Sequence, residues 1–171
     1  VALCLCAGLV SDTLNLTSPT TTEVDREMLR WLSALAGVDA DEFAEAFFAS
    51  GSLLLHADAK AIVGTDRKEF NEEGVFLSLS QVEETSFKGL ADRKDELVEE
   101  LGRLRNDKGY DFCALMVTDI RRHDSTILAV GHDNLLMKLP FDRVATTEFS
   151  APGVVSRKKQ LFPAVCEAIR R

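Results

Sequence analysis

No stretch of this sequence stays apolar for the ~20 residues that a membrane-spanning helix needs, so the chain does not read as one that crosses a bilayer. The opening VALCLCAGLV is apolar for only ten residues and no basic segment leads into it. It reads as a buried element cut at its start, not as a signal peptide. Histidine is scarce: His56, His123 and His132 are scattered, with no HxH or HExxH spacing. The four cysteines (Cys4, Cys6, Cys113, Cys166) form no CxxC pair. A complete metal site made by this chain alone is therefore not expected. The cysteines read as small buried hydrophobes of a protein in a reducing cytoplasm. Positive charge is short as well, 20 Lys and Arg against 28 Asp and Glu, for a net charge of −8. That balance excludes a general nucleic-acid or anionic-membrane surface, yet leaves room for one local anion site. Internal repeats and low-complexity stretches are also missing.

What is present is ordinary for a soluble globular protein, with 46% hydrophobic and 28% charged residues. A length of 171 residues suffices for one sizeable domain, or a small domain plus part of another. SDTLNLTSPTTT (11–22) is turn-rich and polar. Thr22 then reads as a helix N-cap, with Asp25 closing a capping box. The helix that follows is expected to bury Val24, Met28, Trp31, Leu32 and Leu35, and to stop at Gly37. A second helix starting near 39–41 presents Phe43, Phe47 and Phe48, and SGS (50–52) is the candidate linker. Residues 53–70 read as helical, ending in TDRKEF. VFLSLSQVEET (75–85) alternates as a strand does, and 87–109 reads as a long amphipathic helix with Leu90, Leu97, Leu101 and Leu104 inward. DFCALMVTDI (111–120) is a nearly continuous apolar run, hence a central strand buried on both faces. RRHDS turns the chain into a neighbouring strand, TILAVG (126–131). A short helix (132–138), one or two strands within 143–155 and a terminal helix complete an α/β domain over 53–171, a sheet covered by helices.

The terminal helix raises a question of charge. Pro163 has no N–H and fits a first turn, which puts the helix start near 159–162. Arg157 and Lys158 then stand at its mouth, where cations oppose the macrodipole by ~0.3–1 kcal/mol each. An anionic ligand would reverse that sign, since helix N-termini suit phosphate and Arg adds a bidentate fork. A solvated basic patch balancing nearby acids is the other reading. Asp12, just past the apolar opening, suits either a metal ligand or a turn carboxylate. Lys68, in TDRKEF, reads locally as a solvated lysine on an exposed helix face.

LVSDTLNLTSPTTTEVD, WLSALAGVDADEF, DRKEF, SQVEET, LMVTDIRRHDSTILAVG and GVVSRKKQ occur here in that order. Together they resemble the C-terminal half of a family II (manganese-dependent) inorganic pyrophosphatase, a member of the DHH phosphoesterase superfamily, across essentially the whole chain. The SRKKQ segment with SDTL-x-x-x-SPT upstream carries the specificity. The resemblance implies a mixed sheet flanked by helices over 53–171, the DHH-associated C-terminal substrate-binding domain. Residues 1–49 would be the last helices of the N-terminal DHH domain, with 50–52 as linker. It implies hydrolysis of pyrophosphate to two phosphates by a metal-bridged hydroxide at a dinuclear Mn²⁺ or Co²⁺ centre, with Mg²⁺ accompanying the substrate. Asp12 maps to a metal ligand, and Lys68, Arg157 and Lys158 map to the cations that hold the phosphoryl group. The HxxxDxD and DHH segments of that family, which supply most metal ligands, do not occur here. The segment alone is therefore expected to be inactive and to need the missing DHH domain. The full-length protein would be cytoplasmic and able to form a homodimer, with neither nucleic acid nor membrane as partner. Two other readings are a short-chain exopolyphosphatase of the same superfamily and a non-catalytic phosphate-binding module.

Overall fold

Thr22 and Asp25 close the capping box: the Thr22 N–H donates to the Asp25 carboxylate at 2.7 Å, and the Asp25 N–H returns to Thr22 Oγ1 at 3.4 Å. In this computed structural model, which describes residues 1–171, they start α2 (Glu23–Ala36) between α1 (Ala2–Thr13) and α3 (Ala40–Gly51). Contacts divide the chain into two units, Val1–Ser52 and Leu53–Arg171. The first unit packs Cys6, Val10, Leu29, Leu32 and Ala44 together, with Phe43, Phe47 and Phe48 against them. The expected inward face of α2 is only partly correct. Leu32 is buried, but Val24, Met28, Trp31 and Leu35 are exposed, and Leu29 and Ser33 turn inward instead. Both stripes of α2 are apolar, and within this unit α1 and α3 cover only the one carrying Leu29 and Leu32. Cys4 is likewise exposed rather than buried, while Cys6, Cys113 and Cys166 are buried free thiols. Within SGS, Ser50 and Gly51 complete the last turn of α3, and Ser52 caps it through its N–H to the Ala49 carbonyl, directly before the boundary between the two units.

The second unit is a six-stranded sheet in the order β1-β2-β3-β4-β6-β5. The strands are β1 (Lys68–Glu72), β2 (Val75–Glu84), β3 (Phe112–Asp119), β4 (Asp124–Gly131), β5 (Asp142–Ala145) and β6 (Glu148–Pro152). Only β2 and β3 pair in parallel. A parallel pair needs a crossover, and α6 (Leu90–Lys108) supplies it. Strand β3 sits centrally with all eight of its residues buried, as its unbroken apolar run predicts. Each large side chain so withdrawn contributes about 1.5–3 kcal/mol. Alternation then feeds two cores. Leu77, Leu79, Phe112, Ala114, Met116, Ile127 and Phe149 face α7 (Asp133–Leu136) and α8 (Phe162–Arg170). Val82, Cys113, Leu115, Val117 and Leu128 face α4 (Leu53–His56), α5 (Ala59–Gly64) and α6. The expected α/β class, a mixed sheet flanked by helices, is the observed one.

Residues 53–70 depart from expectation. Two short helices end at Gly64, and Lys68–Glu72 is an edge strand paired antiparallel with β2. A two-residue turn joins them, with Glu73 at φ 52° and Gly74 at φ 85°. Hairpin turns of the I′ kind need both central φ positive, which glycine meets without strain. Lys68 therefore lies on a strand, not on a helix face.

Candidate anion-binding site

After β6 the chain runs through Gly153, Val154, Val155 and Ser156 into a single π-helical turn, Arg157–Leu161, that continues into α8. The helical path thus begins at Arg157, earlier than Pro163 alone suggests. Ser156 caps it by accepting the Lys159 N–H at 3.2 Å. Such single π turns are infrequent and cluster at functional sites.

The loop ahead of the turn is tied at nearly every backbone polar group. Asp124 accepts the Gly153 N–H, and the Ser125 hydroxyl donates to the Val154 carbonyl. The Gln160 carboxamide accepts the N–H groups of Val155 and Ser156 at 2.9 and 3.0 Å and donates to the Gly153 carbonyl at 2.9 Å. From the sheet, Gln81 donates to the Val155 carbonyl at 3.1 Å and accepts the Arg157 N–H at 3.1 Å. Its amide also reaches Thr118 Oγ1 at 3.3 Å, and Thr118 bonds Ser125 at 2.9 Å. These bonds hold residues 153–157 in one conformation.

Arg157 is only 8% exposed. Asp66 Oδ2 lies 3.0 Å from its Nη1, but off the N–H direction, so Nη1 and Nε are buried without a hydrogen-bond partner. An unmet buried donor costs about 1–3 kcal/mol, more when charged. The side chain is thus held out of water and incompletely satisfied, as suits a group that awaits the oxygens of an anion. Asp66 itself has a positive φ of 41°, a strained setting for an aspartate beside the site.

Lys158 and Lys159 follow on the exposed side of the turn. Lys68 and Phe70 are two apart on β1 and share one sheet face. Phe70 stacks on Phe162, with ring centroids 4.1 Å apart, directly after the π turn. Lys68 is thereby on the face that carries Arg157, and the neighbouring Asp66 touches Arg157 itself. The structure thus sets Asp66, two residues before Lys68, against Arg157. Asp12 belongs to the first unit and is exposed in the last turn of α1. Leu14, Asn15 and Leu16 follow it with φ of 49°, 52° and 63°, a strained left-handed run. No three His, Cys, Asp or Glu side chains come together to hold a metal ion. Gln81, Asp66, Thr118, Ser125 and Gln160 escaped sequence reasoning. Gln81 and Ser125 have polar neighbours in SQVEE and DSTILAV, and only Thr118, directly after the apolar run FCALMV, left a local signal.

Residues 45–168 match the family described as the DHHA2 domain. The chain belongs to the DHHA2 domain family. It is 34% identical over 165 residues to a "probable manganese-dependent inorganic pyrophosphatase" of Lactobacillus helveticus, covering 95% of this chain and 53% of that protein. A "cobalt-dependent inorganic pyrophosphatase" of Clostridium perfringens is 32% identical over 166 residues, 96% of this chain and 30% of its own length. Among solved structures, a Methanococcus jannaschii protein assigned to the family II inorganic pyrophosphatases superposes with a TM-score of 0.65 at 29% identity, over 95% of this chain and 53% of that one. This DHHA2 chain spans about half the length of the manganese-dependent relatives it matches. The resemblance stated from the sequence motifs is therefore met by relatives of the expected kind.

Proposed function

We propose that this chain forms the phosphate-binding wall of an inorganic pyrophosphatase that hydrolyses pyrophosphate to two phosphates in the cytoplasm. The observation that carries the reading is Arg157, nine-tenths buried beside a fixed loop with two guanidinium nitrogens that make no hydrogen bond. Arg157 holds a phosphoryl oxygen through those donors, while Lys158 and Lys68 add point charges at the rim. Positive charge preorganised in this way stabilises the charge that develops as a phosphoanhydride is cleaved.

In the same reading, residues 1–49 are the last helices of a DHH domain, 50–52 its junction, and 53–171 the DHH-associated substrate-binding domain. Asp12 supplies one carboxylate to a Mn²⁺ or Co²⁺ centre, and Mg²⁺ accompanies pyrophosphate. The donor set of residues 1–171 does not fit such a centre by itself, since Asp12 has no companion ligands. These residues are therefore expected not to turn over pyrophosphate alone.

Calorimetric titration of the chain with pyrophosphate tests the reading, beside a hydrolysis assay in excess Mn²⁺. Arg157→Ala should weaken pyrophosphate binding about 10- to 100-fold, the equivalent of one charged hydrogen-bonding group. Unchanged affinity, or enzyme-level turnover by residues 1–171, would sink the assignment. Tighter binding of tripolyphosphate than of pyrophosphate would instead favour the exopolyphosphatase reading.

A further inference from the structure

We infer that Gln81 is a positioning residue of the anion site: its buried carboxamide clamps the backbone on both sides of Ser156 and so fixes how Arg157 is presented to a phosphoryl group. The inference rests on the reading of Arg157 as a phosphate-binding residue.

Gln81 lies in the middle of a paired strand, in register with Met116, and alternation puts it on the face of Leu77 and Leu79. A glutamine there is costly to bury unless its amide is bonded. It is 9% exposed, and its three bonds use both ends of the amide. The two backbone partners settle the orientation. The Arg157 N–H can only donate, so it faces the amide oxygen. The Val155 carbonyl can only accept, so it faces the amide nitrogen.

Gln160 closes the loop onto itself, from within the same segment. Asp124 and Ser125 anchor only its start, at Gly153 and Val154. Gln81 is what ties the backbone of Arg157 itself to the sheet, across 76 residues of sequence. Without that bond the Arg157 N–H loses its partner, and the first residue of the π turn loses its fixed distance from β2. The guanidinium then samples several placements, and a phosphoryl group must select among them. Gln81 touches no ligand in this scheme. It acts through Arg157.

The test uses the 171-residue chain with two readouts, pyrophosphate affinity by calorimetry and hydrogen exchange of the Arg157 amide by NMR. Gln81→Met keeps the volume and removes the bonds. Gln81→Asn keeps the amide but withdraws it by one methylene, and serves if the methionine variant does not fold. Either should speed Arg157 amide exchange at least tenfold and weaken pyrophosphate binding on the order of tenfold, with the Leu115 and Met116 amides unchanged. Ile127→Val disturbs the same core but touches no bond of the loop, and should move neither readout more than about twofold. Wild-type affinity in both Gln81 variants overturns the positioning role, as does an equal loss in Ile127→Val. A wild-type chain that binds no pyrophosphate overturns the parent reading and the role of Gln81 toward phosphate together. In that case the exchange data still report whether the clamp exists.

Discussion

Replacing Arg157 by methionine should make the ligand-free protein more stable while removing its anion site. Arg157 is 8% exposed, and two of its guanidinium nitrogens are buried without a hydrogen bond. Each unmet donor costs about 1–3 kcal/mol, so relieving both is worth roughly 2–6 kcal/mol. Against this stands the lost attraction of Asp66, whose side chain is 54% exposed. Solvent screening limits such a pair to about 0–1 kcal/mol. Methionine fills most of the same volume and keeps the packing of the alkyl stem. The net expectation is a gain of about 1–6 kcal/mol in the Leu53–Arg171 unit. Trp31 lies in the other unit, so tryptophan fluorescence would report the wrong transition. Amide exchange at Leu115 and Met116, in the central strand, reads the right one. Phosphate or pyrophosphate should then stabilise the wild type and leave Arg157→Met unmoved. A methionine variant that is less stable by more than 1 kcal/mol without ligand would refute the reasoning, because the guanidinium would then be contributing to the fold.

Asp66→Asn removes the one acidic neighbour of Arg157 and should tighten pyrophosphate binding by up to about fivefold at low salt, with the gain shrinking as salt rises; weaker binding would show that Asp66 aims the guanidinium. Burial pushes the Cys113 thiol from its ordinary value of 9.0 up to about 12. The unfolded thiol ionises first, so this group's contribution to stability is full below pH 9.0 and is lost as pH rises towards 12. Urea unfolding followed by Tyr110 exposure between those limits should show the decline, and Cys113→Ala should remove that part of it. Gly131→Ala would set a methyl 2.9 Å from Phe112 Cδ2 and 3.1 Å from the Asp111 carbonyl. It should destabilise the sheet by about 1–3 kcal/mol, and a neutral result would mean that β3 and β4 can part without cost.

Elements whose signal is local are legible in the chain before it folds. The Thr22–Asp25 capping box, the apolar run of β3 and the long amphipathic crossover helix are periodic or capped within a few residues, and they appear where the pattern places them. The crowding of Arg157, Lys158 and Lys159 was also legible, as a charge that a helix start would not hold without reason. Tertiary structure decided the rest. KEFNE became a strand because VFLSL was there to pair with it. The inward face of α2 was decided by which of two apolar stripes α1 and α3 cover. Above all, one triplet of cations contains one buried arginine and two exposed lysines, and no local pattern separates them. Arg157 meets partners that the lysines lack and that stand far off in sequence: Asp66 at its guanidinium and Gln81, 76 residues upstream, at its backbone N–H. A side chain's environment depends on partners distant in sequence, and periodicity carries no information about them.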